Sequence, residues 1–106
     1  MSDIEFHAVA KLGDLGENET MKAMVGGIEI ALYNLSGEIH ASDNVCTHGF
    51  ASLAEGFIED GKIECPEHGG CFDIKTGKAL TAPANDDLRT YEVKIEGGQI
   101  LVGVPA

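Results

Sequence analysis

The stretch 64–73, ECPEHGGCFD, places two cysteines, one histidine and two adjacent glycines within ten positions. It answers an earlier stretch, 46–49, CTHG. Each begins with a cysteine, continues through a short spacer to a histidine, and then has a glycine. Sixteen residues separate His48 from Cys65. Two cysteines and two histidines in paired loops are a donor set for one metal centre. Zinc accepts Cys2His2 donors tetrahedrally, but like ligands then usually come in pairs, C-x2–4-C followed by H-x3–5-H. Here each stretch supplies one sulfur and one nitrogen donor. That mixture suits a [2Fe–2S] centre in which two histidines replace two cysteines on one iron.

Neighbouring residues fit tight metal-binding loops. Gly49 and Gly69 follow the histidines and let the chain turn sharply, so that backbone N–H groups can approach inorganic sulfide. Pro66 constrains φ beside Cys65 and removes one donor from a crowded segment. Phe72 supplies an apolar shield.

Outward from the two loops, the chain alternates apolar and polar residues. Ile4, Phe6, Ala8 and Ala10 have period two, as do Ile28, Ile30 and Leu32 with Asn34 after them. Tyr91, Val93 and Ile95 repeat the pattern, followed by Ile100, Val102 and Val104. Such runs predict strands with one face buried. GlyGly at 26–27, SerGly at 36–37, AspGly at 60–61, ThrGly at 76–77 and GlyGly at 97–98 mark turns between them. The expected class is all-β, an antiparallel sandwich or small barrel. Helix signals reduce to Ser52-Leu53-Ala54-Glu55, enough to cap one turn before Gly56 stops it.

Residues from about 44 to 84 hold all three cysteines, two of the four histidines and two of the three prolines. They are expected to form a small metal-binding subdomain inserted into the β framework, within a single domain spanning 1–106. At 106 residues one core forms with a thin stability margin.

The formal net charge is −11, from 18 acids against 7 bases. Phosphate backbones would repel such a chain, which argues against nucleic acid as a partner, and anionic membranes are disfavoured likewise. A basic protein patch is the complementary partner. Glu55, Glu59, Asp60, Glu64, Glu67 and Asp73 crowd the ligand region, with Lys62 and Lys75 nearby, and are expected to form an acidic docking rim. No apolar run approaches the ~20 residues of a membrane span. The opening MSDIEFHAVAKLGD lacks a basic segment followed by an apolar one, so a cytoplasmic location is expected. Three cysteines cannot all pair within the chain. Cys71 is expected to be a small buried apolar group, and His7 and His40 ordinary strand or surface histidines.

The combination C-T-H-G, a sixteen-residue interval and C-P-E-H-G-G-x-F-D resembles the Rieske-type [2Fe–2S] ferredoxin family. It is similar in particular to the ferredoxin components of bacterial aromatic-ring-hydroxylating dioxygenases. The likeness extends through E-I-H-A-S-D-N-V-C-T-H-G, T-G-K-A-L and P-A-N-D-D-L-R-T-Y-E-V-K-I-E-G. It implies the Rieske fold, two antiparallel β layers with a cluster-binding subdomain. It implies that Cys46 and Cys65 bind one iron and His48 and His68 the other, with a third loop carrying Pro83 over the cluster. It also implies a monomeric one-electron carrier, not itself an enzyme, between an NAD(P)H-dependent flavoprotein reductase and a terminal oxygenase of aromatic hydrocarbon catabolism.

Departures from the respiratory members of the family are informative. Their loop cysteines, joined in a disulfide, correspond to Ala51 and Glu67, and their serine and tyrosine hydroxyls to Gly70 and Phe72. Fewer hydrogen bonds to sulfur leave the reduced state less stabilised. Two other readings of the same residues remain: the small Rieske-like subunit of an assimilatory nitrite reductase, and a structural zinc module in an interaction protein.

Overall fold

The computed structural model describes residues 4–46, 51–67, 69–81 and 86–105. Two-residue turns organise the chain into hairpins. Gly26–Gly27, Ser36–Gly37, Asp60–Gly61 and Gly97–Gly98 all have both residues at positive φ, for instance +50° and +75° at Asp60–Gly61. That conformation matches the twist of the strands it joins. Glycine at the second position relieves the crowding that a Cβ creates there.

The strands are β1 (Ile4–Lys11), β2 (Thr20–Val25), β3 (Ile28–Leu35), β4 (Glu38–Asp43), β5 (Phe57–Glu59), β6 (Lys62–Glu64), β7 (Cys71–Asp73), β8 (Ala79–Thr81), β9 (Thr90–Glu96) and β10 (Gln99–Pro105). They form two antiparallel sheets, one ordered β1-β10-β9-β4-β3-β2 and the other β5-β6-β7-β8. The smaller sheet therefore falls in sequence between β4 and β9, which pair with each other through Ala41–Tyr91 and Ser42–Thr90. The end strands β1 and β2 of the larger sheet also touch, so that sheet curls towards closure and shields its edges.

Two cores result. Ile30, Leu32, Ile100, Val102 and Val104 fill the inside of the curled sheet with Ala23, Val25 and Ala41. Ala31 and Tyr33 join Ile63, Phe72, Ile74, Leu53 and Leu88 in the second core, beneath the smaller sheet. Strand β3 separates them, and its residues 30–34 are all buried. Alternation predicted one buried face for this strand; the outward face is covered as well, because the small sheet lies against it. The polar tip of Asn34 is accommodated by donating from Nδ2 to the Leu15 carbonyl at 2.9 Å and accepting the Gly37 N–H at 2.7 Å.

Strand β1 departs from its sequence pattern. Its pairing with β10 slips between Ala8 and Ala10. The bulge leaves Ala8 exposed and turns Val9 and Ala10 towards the first core. A bulge adds one residue and reverses the faces beyond it. Strand β9 holds Tyr91 and Val93 against that core but leaves Ile95 45% exposed. The short turn at 53–55 forms as one turn of 3-10 helix, with the Gly56 N–H closing it on the Leu53 carbonyl at 2.9 Å. Ser52 makes no side-chain cap there; its hydroxyl accepts from Asn44 Nδ2 at 2.9 Å instead.

Candidate metal centre

Both cysteine stretches are hairpin loops of one design. In the first, Val45 bridges Ser52, and the Cys46 N–H donates to the Ala51 carbonyl at 3.0 Å. In the second, Glu64 pairs with Cys71, and the Cys65 N–H donates to the Gly70 carbonyl at 2.8 Å. Each closure spans five positions, leaving residues 47–50 and 66–69 between its ends. The Gly69 N–H also returns to the Cys65 carbonyl at 3.1 Å, with Gly69 at φ +74°. A side chain would strain that left-handed conformation.

The cysteines stand at the bases of these loops and are 2% and 1% exposed. They share one apolar cluster with Tyr33, Leu53, Ile63 and Phe72. No disulfide joins any of the three cysteines. Ala51, Ser52 and Glu55 of one loop face Pro66 and Glu67 of the other across a cleft of about 360 Å³. The loops therefore lie side by side. His48, His68 and Pro83 lie outside the described residues. Among the described residues no group of three or more histidines, cysteines or acids converges on a metal position.

The sulfur donors fit an iron–sulfur group. Two thiols without a disulfide, at the bases of paired loops of equal length, are buried in one apolar cluster. Pairs of Cys46 and Cys65 thiolates would carry charge into that interior, which is costly unless a metal compensates it.

The supports of these loops were not apparent from their spacing. Asn44, fully buried and two residues before Cys46, is the chief one. Its Nδ2 donates to Glu29 Oε1 at 3.1 Å and Ser52 Oγ at 2.9 Å, and its Oδ1 accepts the Ala54 N–H at 2.9 Å. Its backbone donates to the Glu29 carbonyl at 3.1 Å and accepts from the Leu53 N–H at 2.8 Å. The Thr20 hydroxyl also donates to the Ala54 carbonyl. An Asx-type residue beside a ligand loop is the only sequence signal for this role. Gly77 supports the neck of the third loop. It exchanges backbone bonds with Asp73 and Leu88 at 2.7 Å each, and a Cβ there would meet the Leu88 carbonyl oxygen at 2.3 Å. Asp87 Oδ1 accepts the Ala79 N–H at 2.9 Å across the same neck.

Electrostatically, Glu55, Glu59, Asp60, Glu64 and Glu67 are all exposed. Asp73 leaves the expected rim: it is half-buried and accepts from the Thr76 hydroxyl at 2.8 Å within the β7–β8 turn. Lys75 lies 3.6 Å from Glu38 and lines one hollow with Glu38 and Asp60. The bond from His40, and then Lys75, holds the Glu38 carboxyl below the usual range. His40 Nε2 is 2.6 Å from that carboxylate and His7 lies exposed on β1, so both are strand histidines as expected. Cys71 is half-buried, not buried: it follows Gly70 at the start of β7 and takes the face opposite Phe72, with Sγ 3.7 Å from the Gly69 carbonyl.

The profile of the Rieske [2Fe-2S] domain matches residues 5–92. The chain belongs to the Rieske [2Fe-2S] family. A [2Fe–2S] cluster is therefore its cofactor. The ferredoxin component of the naphthalene 1,2-dioxygenase/salicylate 5-hydroxylase systems of Ralstonia sp is 50% identical over 93 residues, covering 88% of this chain and 89% of its own. The Sphingomonas yanoikuyae B1 ferredoxin superposes with a TM-score of 0.90 at 35% identity, over 95% of this chain and 100% of its own. A structure described as a complex of reduced oxygenase and oxidised ferredoxin in carbazole 1,9a-dioxygenase gives 0.86 at 33% identity, over 92% of this chain and 91% of the other. The putative NADH-dependent nitrite reductase small subunit of Mycobacterium tuberculosis gives 0.89 at 19% identity, covering 99% of both chains, a likeness of fold alone. No helix among the described residues is long and apolar enough to cross a membrane.

Proposed function

We propose that the chain is the ferredoxin component of a bacterial aromatic-ring-hydroxylating dioxygenase system. It carries single electrons to a terminal oxygenase from an NAD(P)H-dependent flavoprotein reductase, as a soluble, cytoplasmic monomer. It is an electron-transfer component and not itself an enzyme. The observation that carries this reading is the 50% identity with a dioxygenase ferredoxin over 88% of the chain, together with two matching loops that start at buried cysteines.

The cluster supplies a one-electron change when bound. Cys46 and Cys65 would hold one iron from the apolar interior, and His48 and His68, in the loops themselves, would hold the other. Phe72 and Tyr33 exclude water from the sulfur side, both being fully buried. Asn44 holds the first loop on the framework, and the Glu64–Cys71 pair closes the second. In this reading residues 1–106 are one domain, with about 44–84 as its cluster-binding part. The exposed acids beside the loops favour basic partners, and repeated shuttling calls for brief contacts of small area.

Reconstitution tests this reading. The purified holoprotein is expected to be reddish-brown, to contain acid-labile sulfide, and to restore aromatic hydroxylation when combined with reductase and oxygenase. Transfer is expected to slow as salt rises, since ~8–10 Å screening lengths weaken the steering charges. A colourless preparation without labile sulfide would support the zinc module instead. Tight copurification with a large nitrite-reducing chain would favour the other reading, whose present support is a likeness of fold alone.

A further inference from the structure

We propose that the outward face of the small sheet, anchored on Phe57, is the surface on which the terminal oxygenase docks. This rests on the electron-carrier reading above. The register of β5, β6 and β7 places Ile58, Ile63 and Phe72 in one row, and all three pack inward. The neighbouring row, Phe57, Glu64 and Cys71, therefore faces outward, because successive side chains on a strand alternate. Phe57 is 63% exposed, the most exposed large apolar side chain among the described residues. It lines a hollow of about 150 Å³ with Ile58, Glu59, Lys62, Glu64 and Cys71.

Three features make this face more than a stray apolar residue. First, Phe57 lies directly opposite Glu64, whose successor is Cys65. A partner seated on the ring therefore sits beside the second cysteine loop. Second, the ring is presented from a constrained backbone. A Cβ on Gly56 would come within 2.1 Å of the Glu64 carbonyl oxygen, so the chain entering β5 is pressed against the end of β6. An anchor held this way loses little freedom on docking. Third, the charge around it is mostly negative. Glu59 and Glu64 line the hollow with Phe57, and exposed Glu55 lies two residues before it, against Lys62 alone in the lining.

The complementary surface is an apolar hollow ringed by arginine and lysine. The occupant is the terminal oxygenase, the class of protein with which the carbazole relative forms its complex. Electron-transfer contacts bury little area, so a single central aromatic supplies a large share of their affinity. The acids around it set the rate of encounter.

The test uses the holoprotein and its oxygenase. Phe57→Ala is expected to weaken binding to the oxygenase by about ten-fold or more, the effect of losing a central aromatic anchor. The visible spectrum and reduction potential should not move, and Phe57→Tyr should bind within about two-fold of the parent. Glu59→Gln should lower the association rate and its dependence on salt. Unchanged oxygenase affinity in Phe57→Ala overturns the assignment. So does a loss confined to the reductase, a shift in the cluster spectrum, or a dimer of the parent chain that Phe57→Ala dissociates. If the parent chain itself passes no electrons to any oxygenase, the electron-carrier reading fails; if it does and Phe57→Ala matches it, only the docking surface fails.

Discussion

Replacing Asn44 by alanine is the most informative single perturbation of the frame around the ligand loops. The side chain is fully buried, and all its amide hydrogen-bonding groups are engaged, with Glu29, Ser52 and the Ala54 N–H. Alanine removes three hydrogen bonds. A typical bond contributes about 1 kcal/mol net, and a buried group left unpaired costs about 1–3 kcal/mol. Ser52 and Glu29 are partly exposed, so water replaces Asn44 for them. The Ala54 N–H, in the half-buried turn behind the first loop, is less readily rescued. The expected loss is about 3 kcal/mol, a sizeable part of the ~5–15 kcal/mol that a domain possesses. The melting temperature of the holoprotein should fall by roughly 10–20 °C. Calorimetry or denaturant unfolding followed by the visible bands measures this directly. Because Ser52 and Leu53 close the first loop through Asn44, the visible bands should also bleach earlier in denaturant than in the parent. A loss below about 1 kcal/mol, with bleaching unchanged, would show that Val45–Ser52 pairing suffices and would refute Asn44 as the support.

Two further outcomes follow from the same geometry. Burial, then the bond to Asp43 Oδ1 at 2.5 Å, pushes the Tyr91 phenol up to about 12, and burial pushes Tyr33 well above the ordinary phenol range. The folded chain thus retains protons that the unfolded chain releases near pH 10, so stability is full below about pH 10 and is lost as pH rises through about 12. Phenolate absorbance against pH, with unfolding followed in parallel, checks this; ionisation of both tyrosines near pH 10 in the folded protein would contradict it. The reduction potential should lie on the order of −150 mV, at the low end for Rieske centres, since Gly70 and the fully buried Phe72 offer no hydroxyl to the cluster sulfurs. A clearly positive potential in a redox titration would contradict that account.

The sequence alone determined the chemistry of this protein and most of its strand content. Donor identity and spacing are properties of neighbours along the chain, so Cys46, His48, Cys65 and His68 can be read there as the proposed ligand set; the structure places Cys46 and Cys65 in one buried cluster. Two-residue turns and period-two alternation are equally local, which is why β3, β9 and β10 could be anticipated. The tertiary structure decided what depends on residues distant in sequence. It buried both faces of β3, because the small sheet covers the side that alternation had left to solvent. A bulge after Ala8 reversed the faces of β1, since a one-residue slip is visible only against its partner strand. Glu29 and Asn44 met across fifteen positions, and Phe57 came to stand opposite Glu64 through the pairing of β5 with β6. No window along the chain carries such contacts. They exist only once apolar burial has brought separate hairpins together and the buried polar groups have had to find one another.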